Sequence, residues 1–164
     1  MMEDTQNLTL YEDDFYGKNE AQEKLIQFVV FRAASEWYGV EITNVREVVN
    51  FEKITYLPSS PEHIAGIFSL RGNILSATDL KKIFGLPAQN LTEKSKLVII
   101  KSGILETGIL VDDVTEPLDV PADQIDPTLT TIAPERADYL SGTCHVGEKF
   151  IGILKAEKIL QAKK

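Results

Sequence analysis

The sequence predicts a mainly β protein made of two small, similar β-barrels. Short runs of β-branched and aromatic residues alternate with Gly, Asn, Ser and Pro, helical signals are brief, and two blocks of the chain match two later blocks. With 164 residues and 43% hydrophobic composition, the chain can bury roughly 70% of its unfolded surface. One cysteine, Cys144, and two histidines, His63 and His145, exclude disulfide frameworks and cysteine zinc sites.

The predicted strands are four to six residues long, rich in Val, Ile and Phe, and bounded by turn residues. Closing such short strands into barrels removes the unpaired edges that invite aggregation. The predicted strands are 28–31, 38–42, 45–50, 67–70, 74–78, 97–100, 108–111 and 150–154.

Helices are predicted at only three places. Asp79 is a suitable N-cap for a helix at 80–84, which Gly85 and Pro87 end. Residues 156–162 predict a terminal helix that turns Ile159 and Leu160 inward, and 134–140 predict one further turn.

The internal repeat consists of two ordered blocks. A shift of 69 residues places 28–48 over 97–117, and a shift of 76 places 63–84 over 139–160. Alternation alone produces some matches between hairpins, but glycines in register favour a duplicated barrel-forming unit. We therefore expect Gly39 and Gly108 to occupy the same crowded strand position, where valine is strongly destabilising.

Charge and hydropathy limit the classes of function. The net charge of −8 makes binding to a phosphate backbone an improbable main function. Residues 1–24 hold seven acidic residues against two lysines and predict a flexible N-terminal extension, or alternatively a partner-binding peptide around Leu8, Tyr11, Phe15 and Tyr16. The folded domain is expected at 25–164. Because no apolar run approaches a membrane span and the start lacks a secretion signal, we expect a cytoplasmic protein without membrane insertion.

No catalytic residue, metal or cofactor is predicted. Cys144 and His145 are neighbours, so on an extended strand they point to opposite faces and cannot act as nucleophile and base. The aspartates between 112 and 126 lack the spacing of a calcium loop and predict a solvated loop; they are Asp112, Asp113, Asp119, Asp123 and Asp126.

Arg71 is the most notable candidate for a binding residue. It precedes Gly72 at the tip of a predicted hairpin, where Gly72 supplies the positive φ of a tight turn. A guanidinium held by rigid strands is a good anchor for a partner's carboxylates or carbonyls. An ordinary exposed turn arginine explains the same pattern equally well.

This segment resembles the CheW-like family of bacterial coupling proteins. The hairpin motif is matched at 69–72, followed by Ile74-Leu75 and by Asp79-Leu80 at the start of the short helix. Stretches around 28–48, 108–114 and 139–160 also agree, so the resemblance extends over about 135 residues in order. Ser69, Ser76 and Ala77 depart from the residues common in the family.

The resemblance implies two intertwined five-stranded SH3-like β-barrels with short helices, including a C-terminal one. It implies a non-enzymatic adaptor, with no cofactor, that joins the cytoplasmic tip of a methyl-accepting chemoreceptor to a CheA-type histidine kinase in arrays at the inner membrane. Carried over by motif, the receptor groove comprises Val45, Glu47, Gly66, Arg71, Gly108 and Val114. In it the glycines permit close backbone approach, the valines give apolar contact, and Glu47 and Arg71 set register.

The kinase-binding residues are not indicated by the sequence. Two alternatives stay open at this point. One is an adaptor of the same family that serves pilus-driven twitching or phototaxis. The other is a small-barrel ligand-binding domain, which needs an apolar cavity with convergent polar groups.

Overall fold

The computed structural model describes residues 24–51, 53–88 and 90–162. Apart from Lys24, the predicted N-terminal extension therefore lies outside the described residues. No helix within those ranges is both long and apolar enough to cross a membrane.

Strands are the main secondary structure of the described chain, as predicted, and hold about half of its residues. In order they are β1 Leu25–Ala33, β2 Glu36–Glu41, β3 Val45–Asn50, β4 Ile64–Leu70, β5 Asn73–Asp79, β6 Lys96–Ser102, β7 Leu105–Val111, β8 Asp113–Val114, β9 Leu118–Pro121, β10 Leu140–Val146 and β11 Lys149–Leu154. The sequence prediction did not include β8, β9 or β10 as separate strands.

The helices are short and lie where they were predicted. They are α1 Leu80–Phe84, α2 Pro134–Ala137 and α3 Ala156–Leu160, with 3₁₀ turns at Ile42–Asn44 and Ala122–Gln124. The Asp79 carboxylate accepts a hydrogen bond from the Lys81 amide at 3.0 Å, and Gly85 ends α1 at φ +67°, which confirms both signals. The terminal helix α3 ends two residues earlier than predicted.

The strands form two sheets that exchange elements along the chain. The first sheet has the order β10-β11-β2-β1, and β1 continues to β8 and β9; the second has the order β3-β6-β7-β5-β4. The first and last hairpins are thus joined in one sheet through the parallel pair β2 and β11. This interleaving confirms the predicted class of a mainly β fold with two intertwined units.

Strands β8 and β9 together occupy the position in the first sheet that β3 occupies in the second. A shift of 69 residues superposes their pairing registers, and the break between them contains Pro117, which has no N–H to donate to a ladder. The equivalent pairs are Val45–Ile100 and Val49–Leu97 in the second sheet, and Val114–Phe31 and Leu118–Phe28 in the first. Each sheet thus has five strand positions, although the first contains six strands.

Parallel pairing and strand irregularities also repeat. The pair Ala77–Gly108 in the second sheet corresponds to Ile153–Gly39 in the first. The register shift at 64/66 corresponds to the one at 140/142. These matches confirm the duplication that was predicted from the sequence.

Both faces of the first strand of each repeat are buried. In β1, Phe28 and Val30 point into the core of the first barrel, while Val29 and Phe31 point into a central core shared by the two sheets. In β6, Leu97 and Ile99 point into the core of the second barrel, while Val98 and Ile100 point into the central core. Two buried faces explain the uninterrupted apolar runs in these strands.

The expected crowding at the paired glycines occurs at only one of them. A Cβ at Gly108 lies 2.8 Å from Cζ of Phe68, whereas a Cβ at Gly39 finds its nearest neighbour, in Ile151, at an ordinary 3.5 Å. The expected crowding at the Cβ position is therefore absent at Gly39. The backbone positions are duplicated, but the side chains packed against them are not.

Candidate functional site: a groove rimmed by an ion pair

Arg71 lies in a two-residue turn with unusual backbone geometry. Leu70 pairs with Asn73, so only Arg71 and Gly72 link β4 and β5. Both have positive φ, +51° at Arg71 and +86° at Gly72, as in the type I′ turn that matches the twist of a hairpin. The sequence analysis expected positive φ only at Gly72. An arginine in this conformation is uncommon and is a form of strain that accompanies functional positions.

The Arg71 side chain crosses from the β4–β5 turn to β3. Its Nη1 donates a hydrogen bond to Oε2 of Glu47. This hydrogen bond lowers the pKa of the Glu47 carboxyl, and the same contact raises the pKa of Arg71. The guanidinium side chain is 65% exposed, so the pair is accessible to a partner.

A groove of about 440 Å³ opens beside this ion pair. It lies along the seam between β3 and β4, the two edge strands of the second sheet. Its floor is apolar and its rim carries Glu47, Arg71 and Lys53. The remaining lining residues are Val48, Val49, Asn50, Phe68, Ser69, Leu70 and Leu97.

Two of the six predicted site residues, Glu47 and Arg71, meet at this groove. Gly108 lies behind it, against the Phe68 ring that lines the floor. Gly66 packs on the backbone of Thr55 in the same chain. At both glycines, the group that lies close to the backbone therefore belongs to this chain and not to a partner.

Val45 and Val114 lie elsewhere, at equivalent points of the two sheets. Both are half-buried and pack against the central core. The predicted equivalence of these valines is confirmed by their pairing with Ile100 and Phe31. The sequence analysis did not identify the residues of the apolar floor, because they come from strands far apart in the chain that meet only when the barrel closes.

A second groove, of about 630 Å³, lies against the outer face of the first sheet. Arg136 of α2 donates to Glu36 at 3.0 and 3.2 Å, and the Tyr38 hydroxyl donates to the same carboxylate at 2.5 Å. Burial, followed by this hydrogen bond, raises the pKa of Tyr38. Trp37 and Phe150 add aromatic walls. No sequence motif indicated this groove.

The buried position of Asp112 contradicts the prediction of a solvated acidic loop. Its side chain is only 6% exposed and accepts a hydrogen bond from Lys81 Nζ at 2.8 Å. Sequence spacing cannot show this, since Lys81 lies 31 positions earlier. Asp119, Asp123 and Asp126 are exposed as predicted, but Asp113 is half-buried in β8 and Asp119 lies in β9, so these two are not part of a loop. Within residues 24–51, 53–88 and 90–162, no three His, Cys, Asp or Glu side chains are grouped to hold a metal ion.

Cys144 and His145 point to opposite faces of β10, as predicted. Cys144 is buried in the core of the first barrel, and burial raises the pKa of its thiol. His145 is exposed and contacts the ring of Phe150, with ring centroids 4.7 Å apart. The two side chains do not form a nucleophile–base pair.

Two interlocked small barrels with open grooves rimmed by ion pairs have the architecture of a protein-binding scaffold domain. The chain belongs to the CheW-like domain family, whose model matches residues 27–164.

Similar proteins agree with this assignment. The chain is 29% identical over 136 residues to a chemotaxis protein CheW of Klebsiella aerogenes, covering 83% of this chain and 82% of the relative. It is 28% identical over 145 residues to a Helicobacter pylori protein of the same name, covering 88% and 87%. The crystal structure of the scaffolding protein TtCheW from Thermoanaerobacter tengcongensis matches with a TM-score of 0.77 and 32% identity, over 84% of this chain and 94% of that one.

These findings define the class of function. The chain is a non-enzymatic scaffold of the CheW type, which couples chemoreceptors to CheA in chemotaxis.

Proposed function

We propose that this chain holds the cytoplasmic tip of a methyl-accepting chemoreceptor and a CheA-type histidine kinase together, in cytoplasmic arrays at the inner membrane. The observation that carries the receptor half of this proposal is the Arg71–Glu47 ion pair at the rim of an open groove with a polar rim and a buried apolar floor.

The groove suits a helical hairpin with apolar and charged faces. Val48 exposes an apolar side chain above a floor that includes the buried Phe68 and Leu97, and the rim recognises charge. An exposed ion pair contributes little to stability, so Arg71 and Glu47 can exchange their mutual contact for contacts with a partner. The rigid turn holds the guanidinium in place, which fixes the register of a bound carboxylate.

The other predicted site residues act from behind or beside this groove. Gly108 leaves room for the Phe68 ring, and Gly66 leaves room for the segment at Thr55, so both shape the barrel that carries Arg71. Val45 and Val114, half-buried at equivalent positions, supply apolar contact near the junction of the two barrels.

Signal transmission follows from differential binding. A scaffold passes information between receptor and kinase only when it binds two states of their assembly with different free energies. The relatives reported above are named as chemotaxis proteins, which favours a chemotaxis array over the twitching and phototaxis alternatives.

The test of the receptor site compares two arginines in similar ion pairs. Arg71→Ala removes the groove pair, and Arg46→Ala removes the Arg46–Glu106 pair, 2.6 Å long and also exposed, which does not line the groove. In calorimetric titrations with a receptor cytoplasmic fragment, we expect Arg71→Ala to weaken binding by roughly 1 to 3 kcal/mol and Arg46→Ala to leave it near the parent value.

Melting temperatures complete this test. Neither variant is expected to shift the melting temperature appreciably, because exposed ion pairs are weak. Equal affinity losses for both variants, or an affinity loss matched by lost stability, count against the groove as the receptor site.

A further inference from the structure

The buried ion pair between Lys81 and Asp112 lies where the chain passes from the second sheet to the first, and Asp112 also contacts the first sheet. Lys81 Nζ donates to Oδ1 of Asp112 at 2.8 Å, with the side chains 5% and 6% exposed. The other oxygen, Oδ2, accepts a hydrogen bond from the backbone amide of Ala34 at 2.7 Å. One carboxylate therefore holds helix α1 and the β1–β2 turn at the same time.

These three residues lie where the chain passes from one sheet to the other. Lys81 follows β5 and Asp112 follows β7, both in the second sheet, whereas Ala34 lies in the first hairpin of the first sheet. The Asp112 amide donates to the Arg32 carbonyl at 2.9 Å, immediately before β8 joins β1. The pair is thus part of the junction, and only Asp113 separates Asp112 from Val114.

The duplication gives no counterpart to this pair. At the equivalent positions of the other repeat, Asp112 corresponds to Thr43 and Lys81 to Glu157, and both are exposed. Strand pairing, bulges and apolar cores occur in both halves, so a barrel of this kind forms without a buried ion pair. The role of the pair is therefore at the junction of the two barrels and not in forming either barrel.

A buried ion pair constrains the relative orientation of the elements that it joins, and apolar packing alone does so less strictly. The central core between the sheets is held by apolar packing, and the hydrophobic effect that drives this packing is non-directional. A buried ion pair adds little net stability over well-packed apolar groups, but any rotation that separates its charges leaves them buried without compensation. It consequently selects one orientation.

We propose that Lys81 and Asp112 are a positioning pair that fixes the orientation of the two barrels, and with it the arrangement of Val45 and Val114 on either side of their junction. The consequence for receptor binding rests on the function proposed above. The orientation itself is a property of the chain alone, so it is measured without any partner.

The test neutralises both charges at once. In Lys81→Met/Asp112→Asn, methionine keeps much of the lysine volume, and the asparagine carbonyl still accepts from the Ala34 amide. Lys82→Met is the matched control, since Lys82 neighbours Lys81 and makes an exposed 3.7 Å contact with Glu62.

Distances between the barrels provide the first readout. Nitroxide labels on Ile104→Cys and Glu148→Cys, at exposed hairpin tips of the second and first sheets, are introduced with Cys144→Ala. Pulsed electron spin resonance is expected to give a narrow distance distribution in the parent and the Lys82→Met control, and a clearly broader one in the double variant. The double variant is expected to melt near the parent temperature.

Receptor binding provides the second readout. If only about one molecule in ten keeps the competent orientation, the affinity for a receptor cytoplasmic fragment falls about tenfold. A double variant with the parent distance distribution overturns the proposal, and so does one that fails to fold, because the pair then supports the fold instead of orienting it. A parent protein that does not bind the fragment contradicts the proposed function, while the distance result still decides the role of the pair.

Discussion

Gly66 lies so close to Thr55 that no side chain fits between them. A Cβ at position 66 is 2.3 Å from the Thr55 carbonyl oxygen, and the backbone there has φ +155°. Thr55 and Ile67 exchange two backbone hydrogen bonds, of 2.8 and 2.9 Å, at this point. The segment before β4 is thus clamped onto the strand that carries the Arg71 turn.

We therefore expect Gly66→Ala to destabilise the fold by about 3 kcal/mol, since the clash is with backbone and cannot be relieved by a rotamer change. Gly72→Ala is the matched control, as position 72 has positive φ but open space around it, and is expected to cost about 1 kcal/mol. Denaturant unfolding measures both. Equal costs would show that backbone conformation, and not the contact with Thr55, determines the requirement for glycine.

The two glycines related by the repeat are expected to differ in their tolerance of alanine. Gly108→Ala forces the buried Phe68 ring and Ile99 to move and is expected to cost about 1 to 3 kcal/mol. Gly39→Ala meets only ordinary contacts and is expected to cost less than about 1 kcal/mol. Similar unfolding midpoints for the two variants contradict this difference.

Because the pKa of Tyr38 is raised, we expect the folded chain to lose stability at alkaline pH. Burial and the hydrogen bond to Glu36 raise its pKa above the ordinary 10.0, so the folded chain keeps the phenolic proton when the unfolded chain loses it. The stabilising contribution is complete below about pH 10 and declines as the pH rises further.

Tyr38→Phe isolates this contribution. The variant loses the hydrogen bond to Glu36 and is expected to be about 1 kcal/mol less stable near pH 8. Its stability is expected to decline less steeply than that of the parent between about pH 10 and pH 11. Parallel pH profiles for parent and variant are the result that refutes a role for Tyr38.

Much of the fold follows from local sequence patterns. The alternating and doubly apolar runs locate most strands, and Asp79 and Gly85 locate both ends of α1. Strands β8 and β9 were missed because they are short and separated by Pro117; only their pairing with β1 makes them strands. The repeat contained that information, since β3 is their counterpart.

The candidate site was less accessible to sequence reasoning. A motif identified Arg71, but its partner Glu47 lies 24 positions away and the contact depends on a positive φ at a residue other than glycine. Asp112 was misread for a similar reason, since Lys81 and Ala34 come from separate elements. Long-range pairing of polar groups has no periodicity that a sequence alone reveals.

Co-sedimentation of a CheA-type kinase with membranes that contain its chemoreceptor tests the central claim most directly. We predict that the kinase sediments with the receptor membranes when this chain is added, and that Arg71→Ala reduces the sedimented kinase while Arg46→Ala does not. Kinase sedimentation that is the same with and without the chain would contradict the account.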